Sequence, residues 1–207
     1  MKIKKVGFVG ASHLGICSAL AAAHKNFDVV LYDNNQKRLE NLEKSKVDFF
    51  EPNIEKFLRK NSKNLCLTNK LEQLKKCDLV YISHDTPTDK KNISNFVFLN
   101  KLIKKVIKHL KKKTILVVLS QAYPGFTDKI NWNKGQLFYQ VETLIFGNAI
   151  NRAINPEQII IGESFKNNKN SKKLLESFIK KFSKNITYMD YKSSELSKIA
   201  INLYLSS

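Results

Sequence analysis

Val6-Gly7-Phe8-Val9-Gly10-Ala11-Ser12-His13-Leu14-Gly15 decides the fold. The run Ile3–Val9 is short and mostly apolar, as a strand buried on both faces requires. After Gly10 the pattern changes period, and Leu14–Lys25 is alanine-rich with helical spacing. A buried strand that turns straight into a helix is the opening unit of a parallel α/β sheet. In the pattern G-x-G-x-x-G each glycine has a physical task. The first makes the tight turn, the second lets a pyrophosphate approach the backbone, and the third lets helix and strand pack closely. Gly10 and Gly15 hold the first and third positions, and Ser12 stands at the middle one. Its side chain narrows the approach, although its hydroxyl can bond a phosphate. The helix N-terminus supplies amide donors and a positive dipole end. The turn thus nominates Gly10, Ser12, His13, Leu14 and Gly15 as cofactor-binding residues.

The next strand, Asp28–Tyr32, ends at Asp33, 18 residues after Gly15. An acid at that distance bonds the adenosine ribose hydroxyls and favours NAD over NADP, because it repels a 2′-phosphate. Arg38, five residues on, either lies over the adenine side or weakens that preference. An imperfect glycine motif alone is a common turn. Here the preceding strand, the following helix and the acid at the next strand end agree, so the sequence predicts a Rossmann-type, doubly wound, mostly parallel sheet.

Outward from this unit, strands and helices alternate. Gln36–Lys44 reads as a helix, and Pro52 opens a helical stretch at Ile54–Lys60. Leu65–Thr68 and Leu79–Ser83 read as strands with a short helix between them. Phe96–Leu110 is an amphipathic helix, with Phe96, Leu99, Ile103, Val106, Ile107 and Leu110 on one face. Ile115–Leu119 is a buried strand, Ile159–Ile161 a strand, Lys172–Phe182 a helix and Ile186–Met189 a strand. Ser193–Leu205 is a last helix. Residues 1–190 are expected to form the cofactor domain, and 191–207 the start of a longer connecting helix.

The 207 residues allow a substantial core, and the hydrophobic fraction of 43% excludes a disordered chain. No apolar run nears the roughly 20 residues of a membrane span. The start, Met1-Lys2-Ile3-Lys4-Lys5, lacks the long apolar region of a signal peptide. Cys17, Cys66 and Cys77 are scattered and suggest neither a disulfide framework nor a metal site, which suits a reducing cytoplasm. No histidine shows metal-ligand spacing either, so no metal is expected. The net charge of +18 raises nucleic-acid binding. However, only Arg38, Arg59 and Arg152 are arginine, and the lysines spread along the whole chain. Base readout favours arginine. The charge therefore reads as solvated lysine faces whose field attracts an anionic cofactor or substrate.

Later motifs, in order, resemble the UDP-glucose/GDP-mannose dehydrogenase family. Glu51-Pro52-Asn53-Ile54-Glu55-Lys56-Phe57-Leu58 is similar to the family's E-P-G-L-x-x-L-L, and Thr86-Pro87-Thr88 to its T-P-T. Ser120-Gln121-Ala122-Tyr123-Pro124-Gly125-Phe126-Thr127 resembles S-T-V-P-P-G-T-T. Asn155-Pro156-Glu157-Gln158-Ile159-Ile160-Ile161-Gly162 resembles N-P-x-R-I-V-I-G. Ser194-Glu195-Leu196-Ser197-Lys198-Ile199-Ala200-Ile201-Asn202 resembles A-E-L-x-K-x-x-x-N. Each piece is weak alone, but five collinear pieces covering essentially the whole chain are not.

The resemblance implies oxidation of a sugar C6 alcohol to the acid with two NAD, through a cysteine-bound thiohemiacetal and thioester. Thr86 and Ser120 join the expected cofactor site. The family's catalytic Thr falls on Gln121, its first Glu on Glu142 and its second Glu on Phe146. Its Lys and Asn fall on Lys198 and Asn202, four apart and so on one helix face. Lys198 is expected to stabilise oxyanion charge, unless it is merely a solvated lysine. Asn202 is expected to bond the same oxygen or an ordered water. Glu142 is expected to act as a base or to hold a water, unless it is a surface carboxylate. Phe146 cannot move a proton, and Gln121 has no hydroxyl. The catalytic Cys is expected in a C-terminal sugar-binding domain that these residues do not include.

The sequence therefore predicts the NAD-binding part of a nucleotide-sugar dehydrogenase acting on a UDP-sugar, incomplete or degenerate here, cytoplasmic, and homodimeric through its C-terminal helix. The alternative is a non-catalytic nucleotide- or partner-binding module derived from that family. A β-hydroxyacid dehydrogenase of similar N-terminal fold explains Gly10 to Asp33 but not the Pro156–Gly162 or Lys198–Asn202 motifs.

Overall fold

The computed structural model describes residues 2–87, 94–166 and 168–206. Eight strands form one sheet: β1 (Lys5–Val9), β2 (Asp28–Tyr32), β3 (Leu65–Thr68), β4 (Leu79–Ile82), β5 (Ile115–Val118), β6 (Leu137–Gln140), β7 (Ile159–Glu163) and β8 (Ile186–Asp190). Their order is β3-β2-β1-β4-β5-β6-β7-β8. Every pair is parallel except β6 with β7. The chain winds outward from β1 to β3, then restarts beside β1 at β4 and winds the other way. The resulting crevice, at the carboxyl ends of β1 and β4, is where such sheets bind ligands.

Among the described residues, seven α-helices accompany the strands: α1 (His13–His24), α2 (Gln36–Glu43), α3 (Ile54–Asn61), α4 (Phe96–Ile107), α5 (Ala149–Ile154), α6 (Lys169–Ile179) and α7 (Tyr191–Ser206). Alternate strand residues feed two cores. Phe8, Leu31, Leu79 and Tyr81 pack with α1, α3, α5 and α6 on one face. Val9, Val30, Val80 and Ile82 pack with α4 and Tyr191 on the other. The alanines of α1 are buried, so this helix lies close to the sheet with no hydrophilic side.

Most expected elements are present with ends shifted by one to three residues. Helix α6 spans Lys169–Ile179 rather than 172–182, because the Asn168 side chain caps it by accepting from the Asn170 amide. Helix α4 ends at Ile107, short of Leu110. The short segment before β4, Leu71–Lys76, is 3-10 rather than α. Among the elements that the sequence pattern does not show are a strand and an α-helix. Strand β6 is only four residues long, and α5 is a six-residue helix.

Candidate functional site

The turn after β1 explains its own glycines. Gly10 has φ +108°, and a Cβ there would lie 2.6 Å from the His84 Cα. A Cβ on Gly15 would lie 1.8 Å from the Gly10 carbonyl oxygen. Only glycine at both positions lets α1 start directly above β1. Ser12 is the N-cap of α1, but its side chain caps nothing. Its hydroxyl instead donates to the Ser83 carbonyl (3.2 Å) and accepts from the Asp85 amide (3.0 Å). A hydroxyl has one proton to donate, so the bond that was expected to reach a phosphate is spent on the β4 loop. The amides of the first turn of α1 have no side-chain cap, so as donors they are open to an anion. Leu14 is in the core, so its side chain is turned to packing.

Asp33 is 3% exposed. Its carboxylate accepts from the amides of Ala11 (2.7 Å) and Asn35 (2.8 Å), which fixes its orientation at the strand end. Arg38 Nη1 lies 3.9 Å from the Asp33 carboxylate, and its Nη2 lies 3.3 Å from Asp48. A cleft of about 170 Å³ opens beside Gly10, Tyr32, Asp33, Asn34, His84 and Phe98. Across the crevice, the Thr86 hydroxyl donates to the Gln121 carbonyl (2.7 Å), and the buried Ser120 hydroxyl donates to the His84 carbonyl (2.6 Å). Both hydroxyls tie the loops after β4 and β5 together. Thr88 lies outside the described residues. The glycine cradle, the uncapped helix start and the anchored Asp33 together fit a dinucleotide.

A second cluster gathers around α7. Lys198 is 6% exposed, and its Nζ lies 2.7 Å from Glu142 Oε2. Neither residue is the solvated surface charge that composition allowed. Asn202 Nδ2 lies 3.5 Å from Gln121 Oε1, so four expected catalytic positions meet in pairs. Helix α7 reaches them because β7 offers no side chain at Gly162, where a Cβ would lie 2.0 Å from the Ser194 Oγ. Glu195, on the same face of the helix as Lys198 and Asn202, is fully buried. Its carboxylate accepts from the amides of Gly125 (2.5 Å) and Thr127 (2.7 Å). It thereby fixes α7 against the loop that carries Gln121. The motif residues around Glu195 were visible in the sequence, but this bond joins positions 70 apart.

Phe146 does not join the Lys198 cluster. Its ring stacks on His13, with centroids 4.2 Å apart and planes 17° apart, while Phe49 meets His13 edge-on at 4.8 Å. His13 Nε2 lies 3.4 Å from Glu51. The nearly buried Glu51 carboxylate accepts from the amides of Gly147 (3.0 Å) and Ala149 (2.8 Å) at the start of α5. His13 and Glu51 thus join the dinucleotide turn to the loop that follows Glu142. Among the described residues, no group of His, Cys, Asp and Glu could hold a metal.

Fold and site together define a dinucleotide-binding domain whose last helix pairs the buried Lys198 with Glu142 of the loop after β6. The chain belongs to the UDP-glucose/GDP-mannose dehydrogenase family, and residues 4–183 match the model of that family's NAD-binding domain. Its cofactor is NAD. The chain is 29% identical over 209 residues to a UDP-glucose 6-dehydrogenase of Campylobacter jejuni, covering 98% of this chain and 52% of that protein. It is 25% identical over 211 residues to a UDP-N-acetyl-D-mannosamine dehydrogenase of Methanocaldococcus jannaschii, covering 97% and 48%. Among solved structures, a GDP-mannose dehydrogenase from Pseudomonas aeruginosa shares the fold with a TM-score of 0.86 at 17% identity, covering 97% of this chain and 50% of that one. A UDP-glucose dehydrogenase from Pyrobaculum islandicum does so with 0.86 at 21%, covering 98% and 50%. The chain spans about half the length of these relatives.

Proposed function

We propose that this chain is the cofactor half of a nucleotide-sugar 6-dehydrogenase, acting on the C6 alcohol of a UDP-sugar. The observation that carries the reading is the 2.7 Å pair between Glu142 and Lys198, the latter on a helix anchored beside Gln121. When bound, NAD supplies the hydride acceptor. The amides at the start of α1 would hold its pyrophosphate, and Asp33 would hold its adenosine ribose. Lys198 presents a desolvated cation to the developing alkoxide, which a fixed charge stabilises far better in a dry site than water does. Glu142 accepts the hydroxyl proton, and Asn202 donates an amide hydrogen bond to the same oxygen.

The second oxidation needs a thiolate. Burial holds the Cys17 and Cys77 thiols well above their ordinary range, and Cys66 lies on the edge strand β3. None of the three supplies a nucleophile beside Lys198. The purified 207-residue chain is therefore expected to bind NAD(H) and to produce almost no NADH from UDP-sugars. Robust NADH production from a UDP-sugar by this chain alone would contradict that assignment.

The same reading places residues 1–190 in the cofactor domain and treats 191–207 as the start of a connecting helix. Leu196, Leu203 and Tyr204 of α7 are exposed, which supports a homodimer through that helix. Three free cysteines support a reducing, cytoplasmic setting, and no described helix is long and apolar enough to cross a membrane.

A second reading is favoured by Phe146, which replaces a carboxylate with a ring stacked on His13. On that reading the domain is a non-catalytic nucleotide- or partner-binding module. Restoring Thr at 121 and Glu at 146, with a sugar-binding domain supplied, separates the two. A gain in rate supports the enzyme, and no gain supports the module.

A further inference from the structure

An acid and an arginine near the ribose send opposite messages about the cofactor. Asp33 disfavours a 2′-phosphate, and an arginine five residues later can bind one. The geometry points to Asp48 as the residue that decides between them, an inference that rests on the dinucleotide reading of the β1–α1 turn.

Asp33 cannot swing away, because the amides of Ala11 and Asn35 hold both its oxygens. Asn35 in turn caps α2 by accepting from the Arg38 amide (3.1 Å), which fixes the start of the arginine side chain. After α2 the chain reverses at Ser45, which has φ +57°, and brings Asp48 back. Asp48 Oδ2 lies 3.3 Å from Arg38 Nη2, while Asp33 lies 3.9 Å from Nη1. One guanidinium thus stands between two carboxylates, and these three groups together carry one net negative charge. A 2′-phosphate would add negative charge there and would have to pull Arg38 off Asp48. Lys37 and Lys46 line the same cleft, but as flexible point charges they lack the guanidinium's fixed fork. Asp48 is therefore a specificity-determining residue for NAD over NADP, acting through Arg38 rather than by touching the cofactor.

The test compares NADH and NADPH affinities of the full chain and of Asp48→Asn by calorimetry. Removing the Asp48 charge frees Arg38, so the preference for NADH falls about two- to fivefold, the range an exposed ion pair supplies. The shift comes mainly from tighter NADPH binding and disappears in Asp48→Asn/Arg38→Ala. Glu157→Gln, the same charge change at a distant exposed site, leaves the preference unchanged. An unchanged preference in Asp48→Asn, with NADH still bound, overturns the inference, as does an equal shift in Glu157→Gln. Failure of the parent chain to bind either nucleotide overturns the dinucleotide reading and this inference with it.

Discussion

Lys198 Nζ and Glu142 Oε2 lie 2.7 Å apart, joining a helix at the end of the chain to the loop after β6. Their side chains are 7% and 18% exposed. A pair this shielded is costly to break one partner at a time, because each single change strands a poorly hydrated charge. Lys198→Met is expected to cost about 2–4 kcal/mol. Lys198→Met/Glu142→Gln is expected to cost less than the sum of the single changes, by at least about 1 kcal/mol. Urea denaturation of the four proteins measures the coupling, and simple additivity would place the two side chains apart in solution.

Glu195 and Glu51 do for backbone what Lys198 does for Glu142. Each is a buried carboxylate that accepts amides distant in sequence. Glu195→Gln turns one oxygen into an NH2 group, which cannot accept, and leaves a buried amide without its partner. The expected loss is about 1–3 kcal/mol. Thermal unfolding of the variant reads it. An unchanged midpoint would mean that Glu195 does not anchor the Gly125–Thr127 loop.

The cysteines differ sharply in environment. Burial pushes the Cys77 thiol up to about 12 and the Cys17 thiol further, while Cys66 is exposed. The thiolate is the reactive form. Mild alkylation near neutral pH is expected to label Cys66 alone, and all three cysteines once the chain is unfolded. Mass spectrometry of the labelled peptides checks this, and native labelling of Cys17 would show that α1 does not pack as described.

Glu176 predicts a pH effect. Its hydrogen bond with Lys180 first, and then that with Tyr188, hold the carboxyl below its ordinary value. A depressed folded value means stability that is present above the unfolded value and lost as pH falls through the folded one. Glu176→Gln should therefore narrow the gap between urea midpoints measured at about pH 6 and about pH 3. An equal gap in both proteins would remove Glu176 from the acid response.

Legibility in the sequence followed range. The β1–α1 unit, Asp33 and the amphipathic α4 were readable because their signals are local: a glycine turn, an acid at a strand end, a repeating apolar face. Strand β6 and helix α5 were not, because four and six residues carry too little periodicity. The pairings of Lys198 with Glu142 and of Glu51 with the start of α5 were beyond reach for another reason. Each joins positions that only the folded sheet brings together. Ser12 shows the limit of motif logic: the motif marks its position, but its hydroxyl is bonded to the β4 loop rather than left free for a phosphate.

On the proposed function, the turn from Gly10 to Gly15, with Asp33 beside it, binds NAD. Calorimetric titration of NADH into the purified chain tests it most directly. One saturable site is expected, weakened by added NAD and lost in Asp33→Ala while the fold persists by circular dichroism. Absence of saturable binding up to millimolar NADH would contradict a dinucleotide site at this turn.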